Sequence, residues 1–109
     1  MKEMELREFL TETGRNPFRK WLHSLRDIRA RARIRVRLNR VRLGNLGDCK
    51  PIGEGVMELR LDFGPGYRVY FGQEGGFVVI LLCGGDKGTQ TRDIATAKQY
   101  WQSYKRRPS

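Results

Sequence analysis

The sequence predicts an α+β domain with a mainly antiparallel sheet, and three observations predict it. Helical runs with their own start and stop signals occupy the first half. Three strand-like runs separated by Gly-rich turns then follow one another directly. A last helical run closes the chain. Helices and strands segregate along the chain instead of alternating as βαβ units, which argues for α+β. The expected order is β-α-α-β-β-β-α: a twisted four-stranded sheet, two N-terminal helices on one face, and a C-terminal helix. The face away from the helix pair is expected to be at least partly open.

"MELREFL" sets Met4, Leu6 and then Phe9 or Leu10 among charged neighbours and predicts the first strand. Gly14 ends it. Asn16 is a capping residue and Pro17 suits a first helical turn, and Phe18, Trp21, Leu22 and Leu25 then recur at helix spacing, which predicts a helix over 17–25.

"IRARARIRVRLNRVRL", residues 28–43, begins as an alternation of apolar residues and arginine, the pattern of a half-buried strand. Its length argues otherwise, because strands average about 5–6 residues. Ala and Arg are good helix formers, Asp27 is a start signal and Gly44 a stop signal. On a helical wheel Ala30, Ile34, Leu38 and Val41 form one stripe, expected to face the core. Ile28, Ala32, Val36 and Leu43 form a second, expected to meet the preceding helix or a partner. The seven arginines divide between the two flanks.

Residues 44–55, "GNLGDCKPIGEG", read as a Gly-rich connection. In "VMELRLDF" Leu59, Leu61 and Phe63 face one way, and Glu58, Arg60 and Asp62 the other. After a turn at "GPG", Tyr67, Val69 and Phe71 share one face of "YRVYFG", with Arg68 and Tyr70 on the opposite one. "QEGG" is a second hairpin turn, and the continuously apolar "FVVILLC" fits a central strand. Ile94, Ala97, Tyr100 or Trp101, and Tyr104 define the last helix, from Thr89 or Gln90. Residues 1–109 read as one domain, with 104–109 as a frayed tail.

The chain has 109 residues, 22 Lys and Arg against 12 Asp and Glu, and a net charge of +10. Such a field favours polyanions and says nothing about fold. With 39% hydrophobic residues the chain is too apolar to be disordered. "MKEMELREFL" has no apolar signal-peptide core and "FVVILLC" is too short to span a bilayer, so a cytoplasmic protein without a membrane partner is expected. Cys49 and Cys83 form no CxxC motif and read as reduced structural thiols. One histidine, His23, cannot supply a paired-histidine nuclease mechanism. No HExxH, GxSxG or carboxylate cluster suggests a metal or a serine nucleophile, and no cofactor is expected.

Chemistry is expected at two places. If the 57–71 hairpin closes about Gly64, Arg60 stands opposite Arg68 on one face. Opposed arginines repel, and a phosphate between them would turn repulsion into binding. Two solvated arginines relieved by Glu58 and Asp62 are the plainer alternative. In "CGGDKGTQ", Gly84 and Gly85 allow close backbone approach, Asp86 or Thr89 can cap the following helix, and Lys87 projects beside the same site; an ordinary strand-to-helix turn is the alternative here. The arginines of the basic helix, Arg29, Arg33, Arg37 and Arg40 among them, read as a docking surface for RNA phosphates or an acidic partner, or as a solvated face.

Taken together, "IGEG" 52–55, "ELR" 58–60, "GPGYRVYF" 64–71 and "LLCGGDK.TQ..DI" 82–94 resemble the RelE/HigB-like toxin superfamily, in particular its phage-derived branch of addiction-module killer proteins. The resemblance covers about residues 4–101. It implies a small RNase-like fold and the toxin of a type II toxin–antitoxin pair: an endoribonuclease (mRNA interferase) that enters the ribosome, cuts mRNA without metal, inhibits translation and is silenced by a cognate helix-turn-helix antitoxin. Arg68 matches the sheet arginine such toxins place at the scissile phosphate, and Arg60 and Lys87 match basic positions beside it. In 2′-OH attack on the adjacent phosphate, Arg68 and Arg60 would stabilise charge, with Lys87 and Asp86 handling protons or orienting the phosphate. Tyr70 or Tyr67 would stack on a base, parity favouring Tyr70, and Gln90 joins them as an RNA-binding candidate. Many RelE relatives use a C-terminal tyrosine and some HigB relatives use histidines near the site; here the C-terminal region has no histidine and Tyr104 fits the core side of the last helix, so the general acid and base stay unassigned. The alternatives are a non-catalytic basic module that binds RNA or the ribosome, and an inactive homologue acting through its antitoxin.

Overall fold

The computed structural model describes residues 3–108. The elements are β1 (Glu5–Glu8), α1 (Pro17–Ser24), α2 (Ile28–Arg42), β2 (Cys49–Gly53), β3 (Val56–Leu61), β4 (Tyr67–Glu74), β5 (Val78–Asp86), a single 3₁₀ turn (Lys87–Thr89) and α3 (Gln90–Arg106). They form one open mixed sheet in the order β1-β5-β4-β3-β2. β1 runs parallel to β5 and every other pairing is antiparallel.

The α+β class stands, but the sheet has five strands, not four. The added strand is β2, within the segment expected to be a connection. Pro51 and the flanking glycines mask it in the sequence. Pro is tolerated because β2 is an edge strand with one unpaired side. Glu54, at φ 55 between Gly53 and Gly55 at φ 99 and 84, forms the tight turn into β3.

Both N-terminal helices begin where their caps place them. The Asn16 side chain accepts from the Arg19 amide at 3.0 Å, with Pro17 in the first turn. Asp27 accepts from the Arg29 amide at 2.9 Å. α2 buries the expected stripe of Ala30, Ile34, Leu38 and Val41, against Leu59, Leu61, Val69, Phe71, Val79 and Leu81 of the sheet and Phe18 and Leu22 of α1. The second stripe stays in solvent: Ile28, Val36 and Leu43 are 71%, 54% and 42% exposed.

The opposite face is less open than expected. α3 lies across it, and Ala97 and Trp101 join Val56, Tyr70, Ile80, Leu82 and Phe9 in a second core. Each layer seats a tryptophan on a strand glycine. A Cβ on Gly72 would fall 2.5 Å from the Trp101 ring, and one on Gly84 would fall 2.2 Å from the Trp21 ring. The expected frayed tail is also corrected. Tyr104–Arg106 belong to α3, and Arg107 donates to the Leu10 carbonyl at 2.6 Å and lies over the Phe9 ring. Ser109 lies outside the described residues.

Cys83 is buried, and burial pushes its thiol up to about 12. That suits a structural thiol, because the thiolate is the reactive form.

Candidate anion-binding site

The β3–β4 hairpin sets the site. Its register pairs Leu59 with Val69, Arg60 with Arg68 and Leu61 with Tyr67. Since side chains alternate along a strand, Leu59, Leu61, Tyr67 and Val69 enter the helix-side core while Arg60 and Arg68 emerge together on the other face. Both line an open cavity of about 380 Å³ with Lys87, Asp48, Asp62 and the 64–66 turn. Gly66, at φ +79, brings the turn against the site: a Cβ there would lie 3.4 Å from both Arg68 Nη1 and Lys87 Cβ.

The two arginines are held differently. Arg68 Nη1 donates to the Tyr67 carbonyl at 3.1 Å, while its Nε is buried without a partner. Arg60 Nε donates to Glu58 Oε1 at 2.9 Å, and its backbone amide and carbonyl are tied to Asp48 O and to the Arg37 guanidinium.

Glu58 is the residue that sequence reasoning underrated. It is fully buried, at 0% exposure. Besides Arg60 it accepts from the Tyr70 hydroxyl at 3.0 Å and from Gln90 Nε2 at 2.8 Å, both at Oε2. Burial pushes its carboxyl up, but the hydrogen bonds from Gln90, Arg60 and Tyr70 outweigh it and hold the pKa below its ordinary value. Strand parity already places Glu58 beside Arg60. What it could not supply is that α3 and Tyr70 seal that end of the face.

Three expected RNA contacts are therefore corrected. Tyr70 is fully buried, with its hydroxyl on Glu58, and burial together with that carboxylate raises its pKa. Tyr67 packs on the helix side against Trp21 and Phe63. Neither ring face is free to stack on a base. Gln90 is half-buried, and its side-chain amide is engaged by Glu58.

The "CGGDKGTQ" segment divides in two. Asp86 caps the 3₁₀ turn, with Oδ1 accepting from Gly88 N at 2.8 Å and Thr89 N at 3.2 Å, while Thr89 Oγ1 accepts from Asp86 N at 3.2 Å. That capping box commits Asp86 to the turn, so the expected proton-handling role is corrected. Lys87 is exposed and lines the cavity with the arginines. Gly84 and Gly85 serve close packing: a Cβ on Gly85 would overlap Asp93, which accepts from Thr89 Oγ1.

On α2 the expected docking surface also divides. Arg29, Arg33 and Arg40 are exposed, with Arg33 stacked 4.9 Å over the Phe63 ring. Arg37 is not part of a free surface. It is half-buried and donates to the carbonyls of Arg60, Leu46 and Asp48, so its expected RNA contact is corrected to a clamp.

Among the described residues no three His, Cys, Asp or Glu side chains gather where a metal ion could be held. No helix of the described residues is long and apolar enough to cross a membrane.

Over 81 residues the chain is 52% identical to an uncharacterized protein of Haemophilus influenzae, a span that covers 74% of this chain and 82% of that relative. No family model matches the chain, and no solved structure matches it. At that identity and coverage, the chain belongs to the family of the Haemophilus influenzae protein.

Proposed function

We propose that this chain is the toxin of a type II toxin–antitoxin pair, with a RelE-like fold, that cuts mRNA on the ribosome without metal. The observation that carries the reading is the opposed pair Arg60 and Arg68, sharing one open cavity with Lys87. Like charges directly opposed across a hairpin are destabilising, and a phosphodiester between them would offset that repulsion. The toxin-like motifs in "ELR", "GPGYRVYF" and "GGDK.TQ" fall on the elements that carry these three side chains.

In the proposed reaction the 2′-oxygen forms a bond to its own 3′ phosphorus and the bond from phosphorus to the 5′-oxygen breaks. The products are a 2′,3′-cyclic phosphate and a 5′-hydroxyl. Arg68 and Arg60 bind the non-bridging oxygens, whose charge grows in the transition state. Lys87, which lines the cavity, would donate a proton to the departing 5′-oxygen, and the cavity-lining carboxylates Asp48 and Asp62 would take the 2′-hydroxyl proton. The exposed Arg29, Arg33 and Arg40 attract ribosomal RNA phosphates. The proposed silencing partner is a helix-turn-helix antitoxin.

Expression of the chain alone in bacteria tests this reading. Growth is expected to arrest, and co-expression of a neighbouring helix-turn-helix reading frame is expected to relieve the arrest. Arg68→Ala is expected to abolish it while the protein remains folded. Undiminished arrest by folded Arg68→Ala would overturn the site. The second reading, a binding module without cleavage, is favoured by the commitment of Asp86 to its capping box; ribosome binding with intact mRNA would select it.

A further inference from the structure

We infer that Glu58 is a positioning residue for the anion site: its buried carboxylate fixes the Arg60 guanidinium opposite Arg68, and Tyr70 and Gln90 fix the carboxylate. The inference rests on the reading of the Arg60–Arg68 cavity as a phosphate site, and asks what holds that site in shape before a ligand arrives.

A carboxylate sealed from water is costly unless its lone pairs are filled. On one side Glu58 adjoins an apolar layer of Val56, Tyr70, Ile80 and Leu82, and an apolar side chain would pack against it at no such cost. Glu58 instead takes donors from three elements: Arg60 from its own strand, Tyr70 from the neighbouring strand and Gln90 from the first turn of α3. Tyr70 stands directly across from Glu58 in the register, and Arg60 directly across from Arg68. The chain of contacts therefore runs from the helix start, through a buried anion, to a cavity-lining cation.

The chemistry of guanidinium gives this chain a purpose. Arg is a planar fork, so fixing Nε fixes the plane and the directions of both terminal nitrogens. Among the described residues those terminal nitrogens of Arg60 make no hydrogen bond to protein. They remain for a ligand in the cavity that Arg60 lines. Left unheld, a long side chain facing another arginine would swing away from it, and binding would then have to offset the cost of ordering it.

A plainer role for Glu58 is charge neutralisation, and the two roles predict opposite signs. If Glu58 only offsets the arginines, Glu58→Gln makes the site more positive and an anion binds more tightly. If Glu58 positions Arg60, Glu58→Gln binds an anion more weakly despite the gain in charge. The probe is a short single-stranded RNA made uncleavable by 2′-O-methyl substitution, followed by fluorescence anisotropy. Glu58→Gln is expected to weaken binding about tenfold, the size of one charge-assisted hydrogen bond. In an Arg60→Ala background the same substitution is expected to have no further weakening effect, whereas general damage to the fold would persist there. Equal or tighter binding by Glu58→Gln overturns the inference, and so does full weakening in the Arg60→Ala background.

If Glu58→Gln does not fold, Gln90→Leu decides, since it removes one donor and leaves the charge. Weaker binding supports positioning, and unchanged or tighter binding overturns it. Cleavage is not the readout, so failure of the nuclease reading leaves this test intact. If Arg60→Ala and Arg68→Ala themselves bind as tightly as the parent, the phosphate site is wrong. If they weaken binding and Glu58→Gln does not, only the role of Glu58 is wrong.

Discussion

The chain carries arginine in two places, and the two places use it differently. α2 concentrates seven arginines in one helix without a single carboxylate. Those whose side chains reach solvent, Arg29, Arg33 and Arg40 among them, act through number and long-range field. The hairpin carries only Arg60 and Arg68, yet register sets them face to face and a buried carboxylate holds one of them. The helix supplies charge and the hairpin supplies geometry. Attraction to a polyanion follows from the first, and chemistry at one phosphate needs the second.

The sharpest way to separate them is by kind of loss. Arg68→Ala is expected to reduce single-turnover mRNA cleavage on ribosomes by about 10²–10³-fold, the usual cost of one transition-state donor, with little change in salt dependence. Replacing Arg29, Arg33 and Arg40 together by Ala is expected to weaken RNA binding at every sequence and to flatten the slope of log affinity against log salt by about 2, at roughly 0.7 per single-stranded phosphate contact. If the triple variant abolishes cleavage at saturating ribosome concentration as completely as Arg68→Ala does, the division fails.

Arg37 sits on the boundary between the two regions. It grows from the charged helix but donates to the carbonyls of Leu46, Asp48 and Arg60, and so holds α2 to the β2–β3 edge behind the site. Burial lowers its pKa. Arg37→Ala removes three hydrogen bonds from a charged donor, although the Asp48 carbonyl keeps the Arg60 amide, and is expected to cost about 2–3 kcal/mol in urea unfolding, in the range for hydrogen bonds to charged groups. Arg29→Ala is expected to stay within about 0.5 kcal/mol, as for other exposed sites. Equal stability of the two variants would place Arg37 back among the free surface arginines.

How far the sequence carries depends on which constraint decides each element. The core face of α2 was legible because Ala30, Ile34, Leu38 and Val41 recur at one spacing between a capping Asp and a terminating Gly. The Arg60–Arg68 pairing was legible only on the condition that the hairpin closes about Gly64 and not about Pro65, the middle of "GPG", and the register meets that condition. β2 was not, since Pro51 and its glycines carry turn chemistry and only edge pairing to β3 makes a strand of them. Parity placed Tyr70 on the face of Arg68, which is correct, but parity says nothing about what covers a face. That depends on Trp101 settling on Gly72, a contact between residues far apart in sequence. "FVVILLC" conceals a further irregularity. The ladder pairs Tyr70 with Cys83 and Phe71 with Leu81, so Leu82 bulges, and a continuously apolar run gives no sign of it.

Gly72→Ala tests that long-range contact at moderate cost. The added Cβ would fall within 2.5 Å of the Trp101 ring, closer than real contacts allow. Overpacking of this kind costs about 1–3 kcal/mol, or on the order of 4–8 °C in Tm for each kcal/mol in a domain this size. The loss is expected to fall by half or more in a Trp101→Leu background, relative to that parent, because the clash partner is gone. An unchanged loss would mean that Gly72 is needed for its backbone and not for the ring.

The smallest expected effect is in acid, and its sign distinguishes a well-held Glu58 from a merely buried one. Burial alone would raise the carboxyl pKa; the donors from Gln90, Arg60 and Tyr70 reverse this and leave it below its ordinary value of 4.5. A group whose folded pKa is depressed adds stability that is fully present above its unfolded pKa. That stability is lost as pH falls through the folded one. Wild-type protein is therefore expected to lose stability more steeply than Glu58→Gln as pH falls below about 4.5, while the two run parallel from neutral pH down to about 6. Both retain the other carboxylates, so the difference between their urea midpoints isolates Glu58. Parallel curves throughout would mean that the three hydrogen bonds only balance burial. A wild-type curve falling less steeply than that of the variant would mean that burial wins, and that Arg60 has a weaker hold on its anchor than the geometry implies.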